Sequence, residues 1–177
     1  MDEKKSINNF NKIKNTIVIL SWISALIFFT YIFQKFLDND NNPNKNPESN
    51  YSEVGVNQVI LKRNRQGHYV SNGFINEKPI VFLLDTGATD VAIPQEVAQT
   101  LKLSNLGKAI SQTANGSVVV YRTNLKNVRL GSIKLTNVSA VILPTLSKNT
   151  PVLLGMSFLK QVELIQKDNL LTLRQFK

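Results

Sequence analysis

Phe82-Leu83-Leu84-Asp85-Thr86-Gly87-Ala88-Thr89 is the stretch on which the reading of this chain turns. A run of bulky apolar residues ends abruptly in a carboxylate, a hydroxyl and a glycine. The apolar run, Pro79 to Leu84, has the length and composition of a buried strand. A carboxylate at its end is drawn towards apolar surroundings. Gly87 permits a tight backbone and the close approach of another chain, and Thr86 offers a hydroxyl to brace neighbouring backbone. An Asp-Thr-Gly tripeptide alone can simply make a turn. The apolar strand before it and Ala88-Thr89 after it make the pattern far more specific.

Outward from this stretch the pattern is β. Residues 57–62, 68–76 and 79–85 read as strands, the last two joined as a hairpin through Asn76-Glu77-Lys78. Residues 117–125, 127–135 and 137–143 read as three more, and the end of the chain as two alternating strands around Lys167-Asp168-Asn169. Only two short helices are expected. One starts near Pro94, a favoured first helical position, and runs through 95–101; the other is a turn or two within 156–161. Many short strands with little helix predict a small all-β barrel or sandwich over residues 51–177.

The N-terminal third differs. Residues 1–15 are polar and carry Lys4, Lys5, Lys12 and Lys14; residues 16–37 are almost wholly apolar; residues 38–50, DNDNNPNKNPESN, are rich in turn formers. A helix rises about 1.5 Å per residue, so roughly 20 residues cross a hydrocarbon core about 30 Å thick. Residues 16–37 therefore read as a single transmembrane anchor in the lipid bilayer. A cleaved signal peptide is the competing reading, but no small-residue cleavage pattern follows the run. Lysines before the span and Asp38 and Asp40 after it put the N-terminus in the cytoplasm and the C-terminal domain outside. In a bacterium that is an inner-membrane, single-pass protein with a periplasmic domain. Residues 38–50 read as a flexible tether.

Composition excludes several chemistries. The 177 residues hold no cysteine, so thiolate nucleophiles, disulfides and cysteine-based zinc sites are absent. The one histidine, His68, rules out a multi-histidine metal site and reads as a strand residue. No metal and no cofactor are expected. The net charge is +9, and residues 51–177 carry 15 of the 21 basic residues against 7 acidic ones. A solvated basic surface accounts for this; anionic lipid or acidic substrates are the sharper alternatives. The cations are scattered singly without a recognition motif, so no nucleic acid is expected.

FLLDTGAT resembles the active-site motif of aspartic proteases of the retropepsin type. The likeness extends along the chain. GHYVSNGFINEKPIVFLLDTGATDVAIP is similar to the N-terminal half of bacterial, membrane-anchored retropepsin-like proteases, TANGSVVVYRTNLKNVRLGSIKLTNVSAVILP to their middle, and LLGMSFLK (153–160) to their second signature. It covers roughly Gly67 to the C-terminus. The resemblance implies a small closed retropepsin-like barrel and an aspartic endopeptidase in which Asp85 is catalytic.

In that family two aspartates face each other across a two-fold axis and share one proton, because close like charges do not both ionise. One activates a water against the scissile carbonyl while the other donates a proton to its oxygen. This chain has one Asp-Thr-Gly; Asp90 and Asp168 lack its context. A homodimer acting on a protein or peptide substrate is therefore implied. Thr86, Gly87 and Ala88 are expected to support the active-site loop, and Thr89 and Asp90 to border the subsites, with a solvated turn the alternative for Asp90. Ala114, Asn115 and Gly116 are expected at the tip of a substrate-covering flap, or else in a plain surface hairpin. Gly155 is expected to let the short helix pack under the active-site loop. The C-terminal strand LLTLRQ either joins a dimer sheet or forms an edge within one subunit. A retropepsin-like dimer that binds peptides without cutting them is the alternative function, and a basic lipid- or nucleic-acid-binding module a weaker third.

Overall fold

The computed structural model describes residues 2–51, 55–113 and 116–176. It divides into two compact units, Met1–Asp40 and Asn41–Lys177.

The first unit is helical. Helix α1, Asp2–Asn41, extends beyond the expected 16–37 at both ends. Within it Lys14–Lys35 is 22 residues long with a mean hydropathy of 2.2, long and apolar enough to cross a membrane. Ile17, Trp22, Leu26, Phe29 and Phe33 are exposed. A helix apolar on all sides, with no core of its own to cover, is what a bilayer accommodates.

The second unit contains, among the described residues, eleven strands and two short helices: β1 Glu48–Tyr51, β2 Val56–Lys62, β3 Val70–Ile75, β4 Lys78–Leu84, β5 Val91–Pro94, α2 Gln95–Leu101, β6 Lys108–Thr113, β7 Gly116–Leu130, β8 Ile133–Leu143, β9 Val152–Leu154, α3 Met156–Leu159, β10 Glu163–Lys167 and β11 Leu170–Phe176. The larger sheet runs β3-β4-β9-β5-β8-β7-β6, and a further pairing of β3 with β7 closes the first six strands into a ring. The expected closed all-β barrel is what forms. Its interior is filled by side chains such as Phe82, Ile93, Leu125, Leu154 and Phe158, all fully buried; each contributes about 1.5–3 kcal/mol by leaving water.

Local chemistry explains the connections. Asn76 (φ 49°) and Glu77 (φ 63°) form a two-residue turn between Ile75 and Lys78, the left-handed geometry that matches strand twist. Helix α2 ends at Lys102 (φ 56°), whose N–H donates to the carbonyls of Ala98 and Gln99.

Several expected boundaries move. The expected break after residue 125 is absent: β7 runs unbroken to Leu130, the chain turns at Gly131-Ser132, and residues 133–135, read as the end of the second strand, open β8. The buried face of β7 switches between Leu125 and Val128, which breaks the period-two alternation where the strand does not break. His68 precedes β3 instead of lying in it. The C-terminal strand is not an edge within the subunit. In the four-stranded sheet β1-β2-β11-β10, β11 lies inside, paired with β2 on one side and β10 on the other, so its backbone groups are already used.

The segment read as a tether is instead folded in over Asn42–Tyr51. Asn44, only 3% exposed, donates from Nδ2 to the carbonyls of Lys62 and Val70, both at 2.8 Å. Its Oδ1 accepts the N–H of Lys62 at 2.7 Å. Asn42 Nδ2 reaches Asn72 Oδ1 at 2.8 Å. Asparagine opposes regular structure in isolation but is well equipped to satisfy backbone groups at strand ends. Asn44→Ala leaves the Lys62 and Val70 groups unpaired beneath the segment. It is expected to lower unfolding stability by about 2–3 kcal/mol, read as a lower urea midpoint at unchanged slope.

Candidate active site

Asp85 sits where β4 leaves the sheet. Phe82, Leu83 and Leu84 lie parallel to Val152, Leu153 and Leu154 of β9, and the Asp85 N–H donates to the Leu154 carbonyl at 3.2 Å. Beyond Asp85 the chain loops through residues 86–90 into β5. Asp85 Oδ1 accepts the Gly87 N–H at 2.9 Å and the Asp85 carbonyl accepts that of Ala88 at 3.3 Å, so the loop is tied to its own aspartate. A Cβ on Gly87 would stand 3.2 Å from Oδ1 and crowd the carboxylate.

The exposure differs from the desolvated carboxylate expected from the apolar run. Asp85 is half-buried, Thr86, Gly87 and Thr89 are exposed, and Ala88 and Asp90 are half-buried. The apolar strand ends at Leu84, so the carboxylate that follows lies at the margin of the core and only partly covered.

Helix α3 holds the loop from beneath. The N–H groups of Met156 and Ser157 donate to the Ala88 and Thr89 carbonyls at 2.8 and 2.9 Å. Gly155 adopts extended backbone (φ −87°, ψ −173°) that any residue can take, yet a Cβ there would collide with the Asp90 carbonyl oxygen and lie 2.7 Å from that of Ala88. This is the packing role the sequence assigned to Gly155.

Ser157 is a residue that sequence reasoning missed. It is 8% exposed; its Oγ accepts the Val91 N–H at 3.0 Å and donates to the Ser139 carbonyl at 2.7 Å. One hydroxyl thus pins the exit of the active-site loop to β8. Nothing in the sequence distinguishes this serine, because its partners lie 66 and 18 residues away. Ser157→Ala is expected to cost about 1–3 kcal/mol by leaving a buried N–H and carbonyl unpaired, measured by chemical denaturation.

Side-chain alternation sorts the surroundings of Asp85. Phe82, Leu84, Val152 and Leu154 point to the main core, so Leu83, Leu153 and Asp85 share the opposite face. Leu153 pairs with Ala92, and Ala92 with Val141. These residues belong to a second apolar cluster of Ala92, Val120, Val141 and Leu143, with Ala109, Val118, Leu146 and Leu153 packed against it. It extends from the Asp85 strands onto the β6–β7 hairpin. In that hairpin Thr113 pairs with Gly116, and Ser117 Oγ donates to Gln112 Oε1 at 2.8 Å. Gly116, expected in the turn, is therefore the first residue of β7, with φ 100°. Ala114 and Asn115 lie outside the described residues.

A closed β barrel in which a strand-end Asp-Thr-Gly loop rests on a Gly-led short helix defines a retropepsin-like aspartic protease fold. The chain resembles a retropepsin-like aspartic protease from Rickettsia conorii, known from a crystal structure, with 29% identity and a TM-score of 0.54 over 73% of this chain and 94% of that one. Residues 71–161, just over half of the chain, match the model of the gag-polyprotein putative aspartyl protease family, and the chain belongs to that family. Among curated relatives it is 32% identical over 115 residues to an uncharacterized protein of Sinorhizobium sp, covering 63% of this chain and 49% of that protein. It is 34% identical over 134 residues to an uncharacterized protein of Rickettsia prowazekii, covering 68% of this chain and 52% of that protein. The chain thus spans about half the length of the curated relatives it matches.

Proposed function

We propose that this chain is an aspartic endopeptidase that works as a homodimer, with one Asp85 from each subunit activating a water between them. The observation that carries the reading is the single exposed Asp-Thr-Gly loop. It is held by the α3 amides, with room left by Gly155, and leaves Thr86 exposed and Asp85 half-exposed, as half of a two-fold site would. In the dimer Thr86 braces the two loops, Gly87 meets the substrate backbone, and Thr89 and Asp90 border the subsites. The β6–β7 hairpin, whose described ends are Thr113 and Gly116, covers the peptide.

The apolar cluster on the Asp85 face favours substrates with apolar side chains beside the scissile bond. Membership of an aspartyl protease family supports the peptidase reading. The organisation that follows is a cytoplasmic segment 1–15, an anchor 16–37 and a protease domain held in the periplasm of a bacterium by that inner-membrane anchor. Its support is the apolar stretch Lys14–Lys35, with lysines before it and Asp38 and Asp40 after it.

The test is incubation of the full chain in detergent with a denatured protein library at several pH values, followed by sequencing of the new termini. Cuts flanked by apolar residues, absent with Asp85→Ala, are expected. Peptide binding without cutting by the unaltered chain would favour the non-cleaving dimer.

A further inference from the structure

A cavity of about 550 Å³ lies where the segment that follows α1 crosses β3. Asn72 of β3 holds that segment. Its N–H donates to the Asn44 carbonyl at 3.1 Å and its Nδ2 to the Lys45 carbonyl at 3.0 Å. Two residues further along β3, Phe74 pairs with Arg129 of β7. Pro47, Phe74, Pro79 and Ile80 give the cavity an apolar wall, and Lys45 and Arg129 give it charge; among the described residues no acidic side chain lines it.

The two cations differ in character. The Arg129 guanidinium lies over the Phe74 ring, with Cζ 3.9 Å from the ring centroid. Stacking of this kind fixes the plane of the donor fork and leaves its N–H groups to meet a phosphate edge-on. Glu77 stands 3.9 Å from Arg129 and 3.1 Å from Lys134, so one carboxylate is divided between two cations. Its side chain is 57% exposed, and such a contact holds Arg129 only weakly. Lys45 is exposed, and its ammonium has no ion-pair partner among the described residues. Positive charge is therefore in surplus at the cavity.

The chain's own connection limits how far this cavity stands from the anchor. From Lys35, the end of the apolar stretch, α1 continues to Asn41, which is about 9 Å of helix. The four further residues to Lys45 span at most about 14 Å. Lys45 thus stays within about 23 Å of the end of the apolar stretch, and lipid headgroups begin where the hydrocarbon ends. We propose that the cavity binds an anionic phospholipid of the membrane that anchors the chain, with Arg129 and Lys45 on its phosphate and the apolar wall against its glycerol and upper acyl carbons. The proposal rests on the anchor reading and is independent of the peptidase reading. An anionic headgroup fits better than a choline headgroup, which would add a cation to a site that already has too many. The apolar wall distinguishes a lipid from a free phosphate, which has nothing to set against it.

The test is binding of dihexanoyl phosphatidylglycerol to the full chain in a neutral detergent, measured by calorimetry beside dihexanoyl phosphatidylcholine and inorganic phosphate. Saturable binding of the phosphatidylglycerol is expected, at least tenfold tighter than that of either other probe. Arg129→Gln is expected to weaken it by about tenfold or more and Lys45→Gln by several-fold. Lys45 is exposed, so its variant keeps the test open even where Arg129→Gln disturbs folding. Lys167→Gln, at an exposed position of β10 outside the cavity, leaves binding unchanged. Equal binding of the three probes overturns the proposal, as does a loss with Lys167→Gln that matches the loss with Lys45→Gln. A chain that stays in solution without detergent overturns the anchor reading and the proposal with it. None of these outcomes touches the peptidase reading, which stands or falls on Asp85-dependent cleavage.

Discussion

Asp85→Asn is expected to abolish cleavage, lowering kcat/KM by about 10³-fold or more, while the domain stays folded. Asparagine matches aspartate in shape, and its side-chain oxygen can still accept the Gly87 N–H that Asp85 Oδ1 accepts now. The loop also keeps its bonds to Leu154 and α3. What is lost is the negative charge that takes a proton from water. A thermal midpoint close to that of the unaltered chain, together with no new termini from a peptide library, is the expected pair of results.

A mixing experiment sharpens the test. If each working site needs an aspartate from both subunits, equal amounts of unaltered and Asp85→Asn chains, allowed to exchange, retain about one quarter of the activity. A chain that works alone would retain about half.

Gly155→Ala is the second large effect expected, and it acts through packing. The backbone at Gly155 is ordinary extended chain, so conformation does not demand glycine there. Space does. The added methyl would collide with the Asp90 carbonyl oxygen and crowd that of Ala88, both backbone atoms of the active-site loop. A flexible side chain could swing aside, but these carbonyls are held in place; that of Ala88 accepts the Met156 N–H. Either α3 withdraws and its two bonds to the loop stretch, or the loop shifts and carries Asp85 with it. The expected cost is about 3 kcal/mol of stability, seen as a lower denaturant midpoint, with cleavage lost even where the protein remains folded. Full activity and unchanged stability in Gly155→Ala would show that α3 does not support the loop in this way.

How far the sequence could be read depended on whether the deciding interactions were local. Short-range signals were legible: Pro94 before Gln95–Leu101, the apolar run before Asp85, the Asn76-Glu77 turn and the long apolar stretch of α1. β5 was not, because its four residues, Val91–Pro94, are all buried and show no alternation between two faces. The continuous strand β7 was cut in two for a related reason, since its buried side changes partway along. At the site, Asp85 and its loop announced themselves, whereas Ser157 did not. Its role comes from partners 66 and 18 residues away, Val91 and Ser139, that only the folded chain brings to helix α3.

The amino-acid order alone determined that a β-rich domain follows an apolar helix and that one carboxylate ends an apolar strand, because periodicity, turn chemistry and burial tendency are properties of neighbouring residues. Only the tertiary structure decided that β3 closes onto β7, that β11 is enclosed between β2 and β10, and that Asn44 fastens the stretch before β2 to strand ends 18 and 26 residues away. These are pairings between distant segments. Backbone hydrogen bonds can form with any residue type, so such choices are settled by which closures leave the fewest buried polar groups and apolar faces uncovered.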